Sequence, residues 1–436
     1  MSLVAGAAAV DISPPTGVQL AGYPHVERLS TGTHDPLLAS IVYLDAGGSS
    51  LVVGSLDLLM LDPSVARSLR RALSDDVGVP EDRVFVACTH THSGPVTTPR
   101  LIAGDGAPDG EYLASVQEGA RRAAREARRT ARPAELAWTA ATIDGVGCNR
   151  HDPDGPRDAE AGVLVVRDAS TQSLVALASV YSMHPTVLHE DSTLVSADFP
   201  GYARAHLQEA YSGDCPVLYL MGPSGNQSPR YHVRGQTFAE AERLGRTMGA
   251  AVAAAVDGLP DDAFARDPVL AGAMTTITLS PRAVPSVEEA ERELRARRER
   301  FQALRDGGAP HGPVRTAECS VFGGESTVAL AKLARDGTLA ALVEEHGTPD
   351  VQCVRIGEAT LAGLPGEFFV EYGLRIKEAA RPRTFPVTLV NGHTRGYIVT
   401  PEAAREGGYE SANSLFSHES GPDIVAKAVE LVERLA

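Results

Sequence analysis

The chain has 436 residues, 43% hydrophobic and 22% charged. That is enough apolar mass for a large core and too much for a disordered chain. Forty Lys and Arg face 56 Asp and Glu, a net charge of −16, which argues against nucleic acid or anionic membranes as partners. No apolar run approaches the ~18–20 residues of a membrane helix, so stable membrane insertion is not expected. Five scattered cysteines, none in a Cys-x-x-Cys pair, fit a reducing compartment better than a disulfide framework.

The apolar N-terminal stretch has no Lys or Arg before it and stops at Asp11. It reads as a first strand rather than a signal peptide, and a cytoplasmic location is expected. Leu51–Met60 is a near-continuous apolar run, expected to be a buried strand. Asp62-Pro63 then opens a helix to about Leu73. Val84–Cys88 is β-rich, and 113–131 is helical. Leu174–Tyr181 and Val217–Met221 read as strands. Thr237 with Glu240 and Ser286 with Glu289 are capping-box pairs, starting helices to about Val256 and Asp306. Val351–Leu364 reads as strand-turn-strand, and Val425–Leu435 as a closing helix. The irregular alternation predicts a mixed α/β fold, with sheets layered against helices. The expected organisation is one domain over 1–436, with a helical insertion around 282–345. The basic residues are nearly all arginine, the bias of a GC-rich bacterial genome.

Candidate chemistry begins at Cys88-Thr89-His90-Thr91-His92-Ser93-Gly94-Pro95. On a strand, residues two apart share a face. His90 and His92 therefore point into one site if the strand continues past Cys88. Neutral imidazole suits zinc; the plain alternative is two loop histidines. His184, in Met-His-Pro-Thr, sits at another strand end. Asp198, in Ser-Ala-Asp-Phe-Pro-Gly, is a carboxylate in a turn, able to orient a histidine or to cap. Asp57 is a buried carboxylate that needs a partner. Glu367, in Leu-Pro-Gly-Glu-Phe, lies among apolar neighbours, as a site residue or a helix cap. The small-residue loop Gly222–Arg230 can bring backbone donors and a hydroxyl close to a ligand.

Spacing cannot join residues 90, 184, 367 and 397. In order, Thr-His-Thr-His-Ser-Gly-Pro, Met-His-Pro-Thr, Ser-Ala-Asp-Phe-Pro-Gly, Gly-Asn-Gln-Ser-Pro, Leu-Pro-Gly-Glu-Phe and Gly-Tyr-Ile-Val-Thr-Pro-Glu resemble the neutral/alkaline ceramidase family. The opening Val-Asp-Ile-Ser-Pro-Pro-Thr-Gly and Leu-Ala-Gly-Tyr are similar too, so the likeness runs from about residue 5 to 420. It implies a ceramidase-like catalytic domain and a zinc amidase acting through a zinc-activated water. Its implied zinc ligands are His90, His184, Glu367 and Tyr397. The implied catalytic residues are His92, for proton transfer, with Arg150, Ser228 and Tyr409 around the substrate.

The family's secreted bacterial members carry a signal peptide and a further C-terminal β-domain, and this sequence reads as having neither. Asn226 and Arg230 stand where the family has Asp and Asn. The expectation is therefore a Zn2+-dependent hydrolase of a small-molecule amide, with self-association left open. Arg230 favours a substrate that is smaller and more polar than ceramide and carries an acidic group. Within hydrolases the alternative is a polar non-lipid amide or an ester. Outside them it is a zinc-binding homologue without catalysis.

Overall fold

The computed structural model describes the chain except residues 1, 24, 100–106, 212, 214 and 382, and the backbone alone of His311. The longer elements run in chain order as follows. The first part holds β1 (Val4–Asp11), β2 (Leu38–Ala46), β3 (Ser49–Leu56), α1 (Pro63–Val77), β4 (Val84–Cys88) and α2 (Gly110–Arg129). Next come β5 (Arg132–Thr142), β6 (Glu160–Asp168), β7 (Leu174–Tyr181), α3 (Asp198–Ala210), β8 (Val217–Met221) and α4 (Phe238–Asp257). Then follow β9 (Leu270–Thr276), α5 (Val287–Asp306), α6 (His311–Arg335), α7 (Leu339–His346), β10 (Asp350–Ile356) and β11 (Ala359–Leu364). The chain closes with α8 (Val370–Ala379), β12 (Arg383–Thr388), α9 (Pro401–Glu406), α10 (Tyr409–Ala412) and α11 (Ser420–Leu435).

Two sheets lie face to face between helices. The larger has eight strands in the order β8-β7-β6-β5-β1-β2-β3-β4. Its two outer pairs, β7 with β8 and β3 with β4, are parallel. The smaller sheet runs β9-β10-β11-β12, with β11 and β12 parallel. The helices α1 to α4 cover the outer face of the large sheet, through residues such as Leu69, Ala120, Phe199 and Leu244. The inner faces meet through Val53, Phe85, Leu164 and Leu218 on one side and Val354, Leu361 and Val387 on the other. Helices α8 and α11 cover the far face of the small sheet, with Tyr372, Ile376, Ile424 and Leu431. The order of layers is helix, sheet, sheet, helix.

This layering explains the continuous apolar runs. In β8, Val217, Tyr219 and Met221 face the helices while Leu218 and Leu220 face the second sheet. A strand buried on both faces has no polar alternation to show. The run expected at Leu51–Met60 is a strand only to Leu56. Beyond it, Asp57 turns inward, accepts the Leu38 N–H at 2.9 Å and pairs with Arg204 at 2.8 Å. That is the partner its burial required. The expected caps are present: Asp62 accepts the Ser64 N–H, Thr237 accepts the Glu240 N–H, and Ser286 with Glu289 forms the full reciprocal box. The strands β2, β5, β6, β9 and β12 and the helices α3, α8 and α9 went unread in the sequence. Helices α5 and α6 fall within residues 282–345, and α7 runs one residue past it to His346.

One contact ties the sheets together. Trp138 on β5 donates its indole N–H to the Ile356 carbonyl at 2.8 Å and stacks on Phe385 of β12, ring centroids 5.2 Å apart. A Cβ at Gly162 on β6 would lie 2.4 Å from the Phe385 ring, so the glycine seats that ring. Phe385→Ala should destabilise the chain by about 3–5 kcal/mol, the usual cost of emptying a buried aromatic site. Urea unfolding followed by the fluorescence of the single tryptophan measures this directly. A loss below about 1 kcal/mol would show that the sheets do not depend on this contact.

Candidate active site

Three strand ends deliver the central residues. His90 follows the carboxyl end of β4, His184 that of β7, and Glu367 that of β11. Each of these strands has a parallel neighbour. The His90 and His184 Nε2 atoms stand 3.2 Å apart. The Glu367 Oε2 lies 3.1 Å from the first and 3.2 Å from the second. All three side chains are buried.

Hydrogen bonding decides what these atoms present to one another. His90 donates its Nδ1–H to the Leu59 carbonyl at 2.8 Å, and His184 donates its own to the Ser224 carbonyl at 2.7 Å. A carbonyl can only accept, so both rings carry a proton on Nδ1 and turn Nε2 inward. Burial pushes His184 down to about 4, so it stays unprotonated at neutral pH. Two imidazole nitrogens and a carboxylate oxygen thus converge at hydrogen-bond distance. All three are atoms able to ligate one cation at their centre. Donors at about 2.0–2.1 Å from a tetrahedral zinc stand about 3.3–3.4 Å apart, close to the edges of this triangle. The residues fit the ion that the sequence implied.

The expected strand geometry of His90 and His92 is not what brings them together. β4 ends at Cys88, and His90 takes the left-handed conformation, with φ 69°. Its N–H bonds to the Leu58 carbonyl, beyond the end of β3. The two histidines therefore share a site through a tight turn, with ring centroids 4.9 Å apart. A left-handed histidine is strained, and such strain persists where the surroundings enforce it. His92 is half-buried, its two ring nitrogens are out of solvent with no partner among the described residues, and desolvation holds it well below the usual imidazole range. Its ring lies against Gly22, where an added Cβ would come within 2.6 Å.

Tyr397 reaches the cluster through backbone: Glu367-Phe368 and Tyr397-Ile398 form a short parallel bridge. The Arg150 guanidinium lies 5.4 Å from the centre of the Tyr397 ring, and the Tyr409 ring packs edge-on against the same ring at 5.8 Å. Ser228 pairs with Cys148 in a second short bridge, and its Oγ accepts the Arg230 N–H at 3.1 Å. No general base is bonded to that hydroxyl among the described residues. A cavity of about 170 Å³ opens over the cluster, walled by His90, His92, Glu367, Tyr397, Tyr409 and Arg395 among others. Arg150 and Ser228 are not among its wall residues; Arg150 stands beside Tyr397.

Two expectations change. Asp198 does not orient a histidine; its carboxylate accepts the N–H groups of Val187, Leu188 and Phe199. It ties down the segment that follows His184, and opens α3 rather than sitting in a plain turn. Arg230 does not face the cavity; it reaches the Arg150 carbonyl at 3.3 Å and Thr316 at 3.5 Å. The cation that does line the cavity is Arg395, which went unread. Glu410 also went unread: it accepts from Arg150 at 2.7 Å and from His151 at 3.1 Å. Its only sequence signal was its place next to Tyr409.

Geometry of this kind defines a buried metal-type centre at the mouth of a layered α/β fold. A family model described as neutral/alkaline non-lysosomal ceramidase, N-terminal, matches residues 3–218. The chain is 24% identical to the neutral ceramidase of Mycobacterium tuberculosis over 95% of its own length and 74% of that protein. It is 23% identical to the neutral ceramidase of Pseudomonas aeruginosa, over 92% of itself and 67% of that protein. The crystal structure of the Pseudomonas aeruginosa enzyme superposes with a TM-score of 0.77 at 19% identity, covering 100% of this chain and 74% of that one. The chain belongs to the neutral/alkaline ceramidase family. That places it among hydrolases of amide bonds.

Glu410 offers a test of this architecture. Burial raises its carboxyl, but Arg150 and His151 outweigh burial and hold it at about 2. A depressed carboxyl stabilises the fold above the unfolded value of about 4.3 and loses that contribution as the pH falls toward the folded one. Glu410→Gln should therefore lose about 3–5 kcal/mol at pH 7, because Arg150 stays buried without its anion. The variant should also lose less than the wild type between about pH 4.5 and 2. Denaturant titrations across that range check both signs, and parallel curves would refute the pairing.

Proposed function

We propose that the chain is a zinc-dependent amide hydrolase in which His90, His184 and Glu367 hold the ion and Tyr397 completes the set. The observation that carries this reading is the triangle of two imidazole Nε2 atoms and a carboxylate oxygen, with edges of 3.1–3.2 Å and both Nδ1–H groups bound to carbonyls. Zinc bound there supplies a Lewis acid for an amide carbonyl and makes water acidic enough to attack near neutral pH.

The protein's own groups do the rest. His92 is neutral and unpartnered beside the cluster, so it takes a proton from the attacking water and returns it to the leaving amine. Tyr409 lines the cavity and donates its hydroxyl to the developing oxyanion. Arg150, held by Glu410, fixes the ring of Tyr397 and supports that charge from behind. Ser228 positions the Cys148–Arg150 segment through its short bridge; without a base on its hydroxyl, water is the better nucleophile. The relatives are named neutral ceramidases, so ceramide, a lipid amide, is the first substrate to assay. No helix among the described residues is long and apolar enough to cross a membrane. The chain would then meet its substrate from the aqueous side.

Elemental analysis should find about one zinc per chain after reconstitution, since the four residues make a single site. His184→Ala should lose the ion, and undiminished binding in that variant would overturn the assignment. His92→Ala should keep the ion and lose about 10²–10⁴ in turnover, the range for removing a proton carrier or a transition-state donor. A wild-type rate in His92→Ala would remove it from the chemistry. Full zinc occupancy with no turnover of short-chain ceramide or any N-acyl amide would favour a zinc-binding protein without catalysis.

A further inference from the structure

The cavity over the histidine cluster has a feature that amide hydrolysis alone does not require. Arg395 forms part of its wall and is 8% exposed. Its Nη1 donates to the Pro99 carbonyl, and its Nε is buried with no acceptor among the described residues. Asp62 and Glu345 act on it only through space, without forming an ion pair. His393 lines the same cavity, accepts the Arg395 N–H on Nδ1 at 3.0 Å, and leaves its buried Nε2 unpartnered. The backbone here is held in left-handed conformations, with φ 60° at Arg395 and 111° at Gly396. A Cβ at Gly396 would lie 1.7 Å from the Asn413 carbonyl oxygen, so the loop is pinned where it is.

Three other buried arginines set the contrast. Arg204 pairs with Asp57, Arg150 with Glu410, and Arg70 with Asp350. Each has its anion within the protein. Among the described residues Arg395 has none, and a guanidinium cannot shed its charge by deprotonation. Burying a cation without a partner is costly. The missing anion belongs to whatever fills the cavity, and the guanidinium fork matches a carboxylate.

We propose that Arg395, assisted by His393, binds a carboxylate carried by the amide substrate, so that the enzyme selects acidic N-acyl amides over neutral ones. This rests on the reading of the same cavity as the hydrolytic site. The cation expected near the substrate is present, but it comes from the loop before Tyr397 and not from the loop after Ser228.

Kinetics on matched pairs test it. One pair is N-octanoylglycine and its neutral glycinamide twin, with the acid on the amine half. The other is N-octylsuccinamate and its neutral diamide, with the acid on the acyl half. The zinc-loaded wild type should prefer the acidic member of at least one pair by about 10- to 100-fold in kcat/KM, the range for a charge-assisted hydrogen bond. In Arg395→Met that preference should fall to near unity, mainly through KM, while Arg395→Lys keeps part of it. Arg395→Gln serves if the Met variant does not fold. Calorimetry gives a readout without turnover: octanoate should bind the wild type more tightly than octanamide, and that difference should vanish in Arg395→Met. Equal rates within both pairs, or a preference that survives the loss of Arg395, overturns the subsite. If the wild type cleaves none of these amides and no short-chain ceramide, the hydrolase reading fails instead. Octanoate calorimetry then decides the anion site by itself.

Discussion

Everything in the centre of this molecule depends on two hydrogen bonds from histidine Nδ1–H groups to backbone carbonyls. Leu59 fixes His90 and Ser224 fixes His184. Each carbonyl belongs to the loop after a neighbouring parallel strand, β3 for Leu59 and β8 for Ser224. The Nδ1 protons, and with them the inward direction of both Nε2 atoms, are thus set by strand pairing. A backbone acceptor cannot change its protonation state, so the donor character of the cluster is stable wherever the sheet is intact. Glu367 enters from the other sheet, which makes the cluster a junction between the two packed layers. Their contact at Trp138 and Phe385 is therefore part of what keeps the triangle's edges near 3.2 Å.

The sequence disclosed the parts of this design that are local. Caps at Asp62, Thr237 and Ser286 depend on residues two or three apart, and they were legible. So were the apolar runs of β4, β7 and β8, because a strand buried on both faces is continuous in sequence. Strands β2, β5 and β6 were not legible: their apolar residues are interrupted by Ser, Glu, Thr and Gly that pairing with neighbours accommodates. Gly162 illustrates the difficulty. It reads as a strand breaker, yet it is required by a ring that arrives from residue 385.

The candidate site divides in the same way. Residues 90, 184, 367 and 397 were joined by the order of motifs, since no spacing rule spans them. The reason given for His90 and His92 was wrong in its geometry, because a left-handed turn replaces the strand. Glu410 and Arg395 escaped notice for a different reason. A charged residue in a polar stretch looks solvated until the fold buries it, and burial here is produced by segments hundreds of residues away. Arg230 was visible because it stood beside a recognised serine, and proximity in sequence proved a poor guide to the cavity.

Centre and wall are built from different material, and this sets how the protein can vary. The donors sit at strand ends, braced by backbone bonds on both layers. The cavity wall comes largely from the segments around residues 96–99 and 393–413, which lie outside the sheets. Loops change more readily than the strands that carry them. Relatives at 23–24% identity can therefore share the fold while the wall presents different charges to the substrate. In this chain the wall presents a guanidinium that has no paired anion among the described residues, a charge that a neutral lipid does not balance. Substrate choice then rests on the segment before Tyr397, while the amide chemistry rests on the strands behind it.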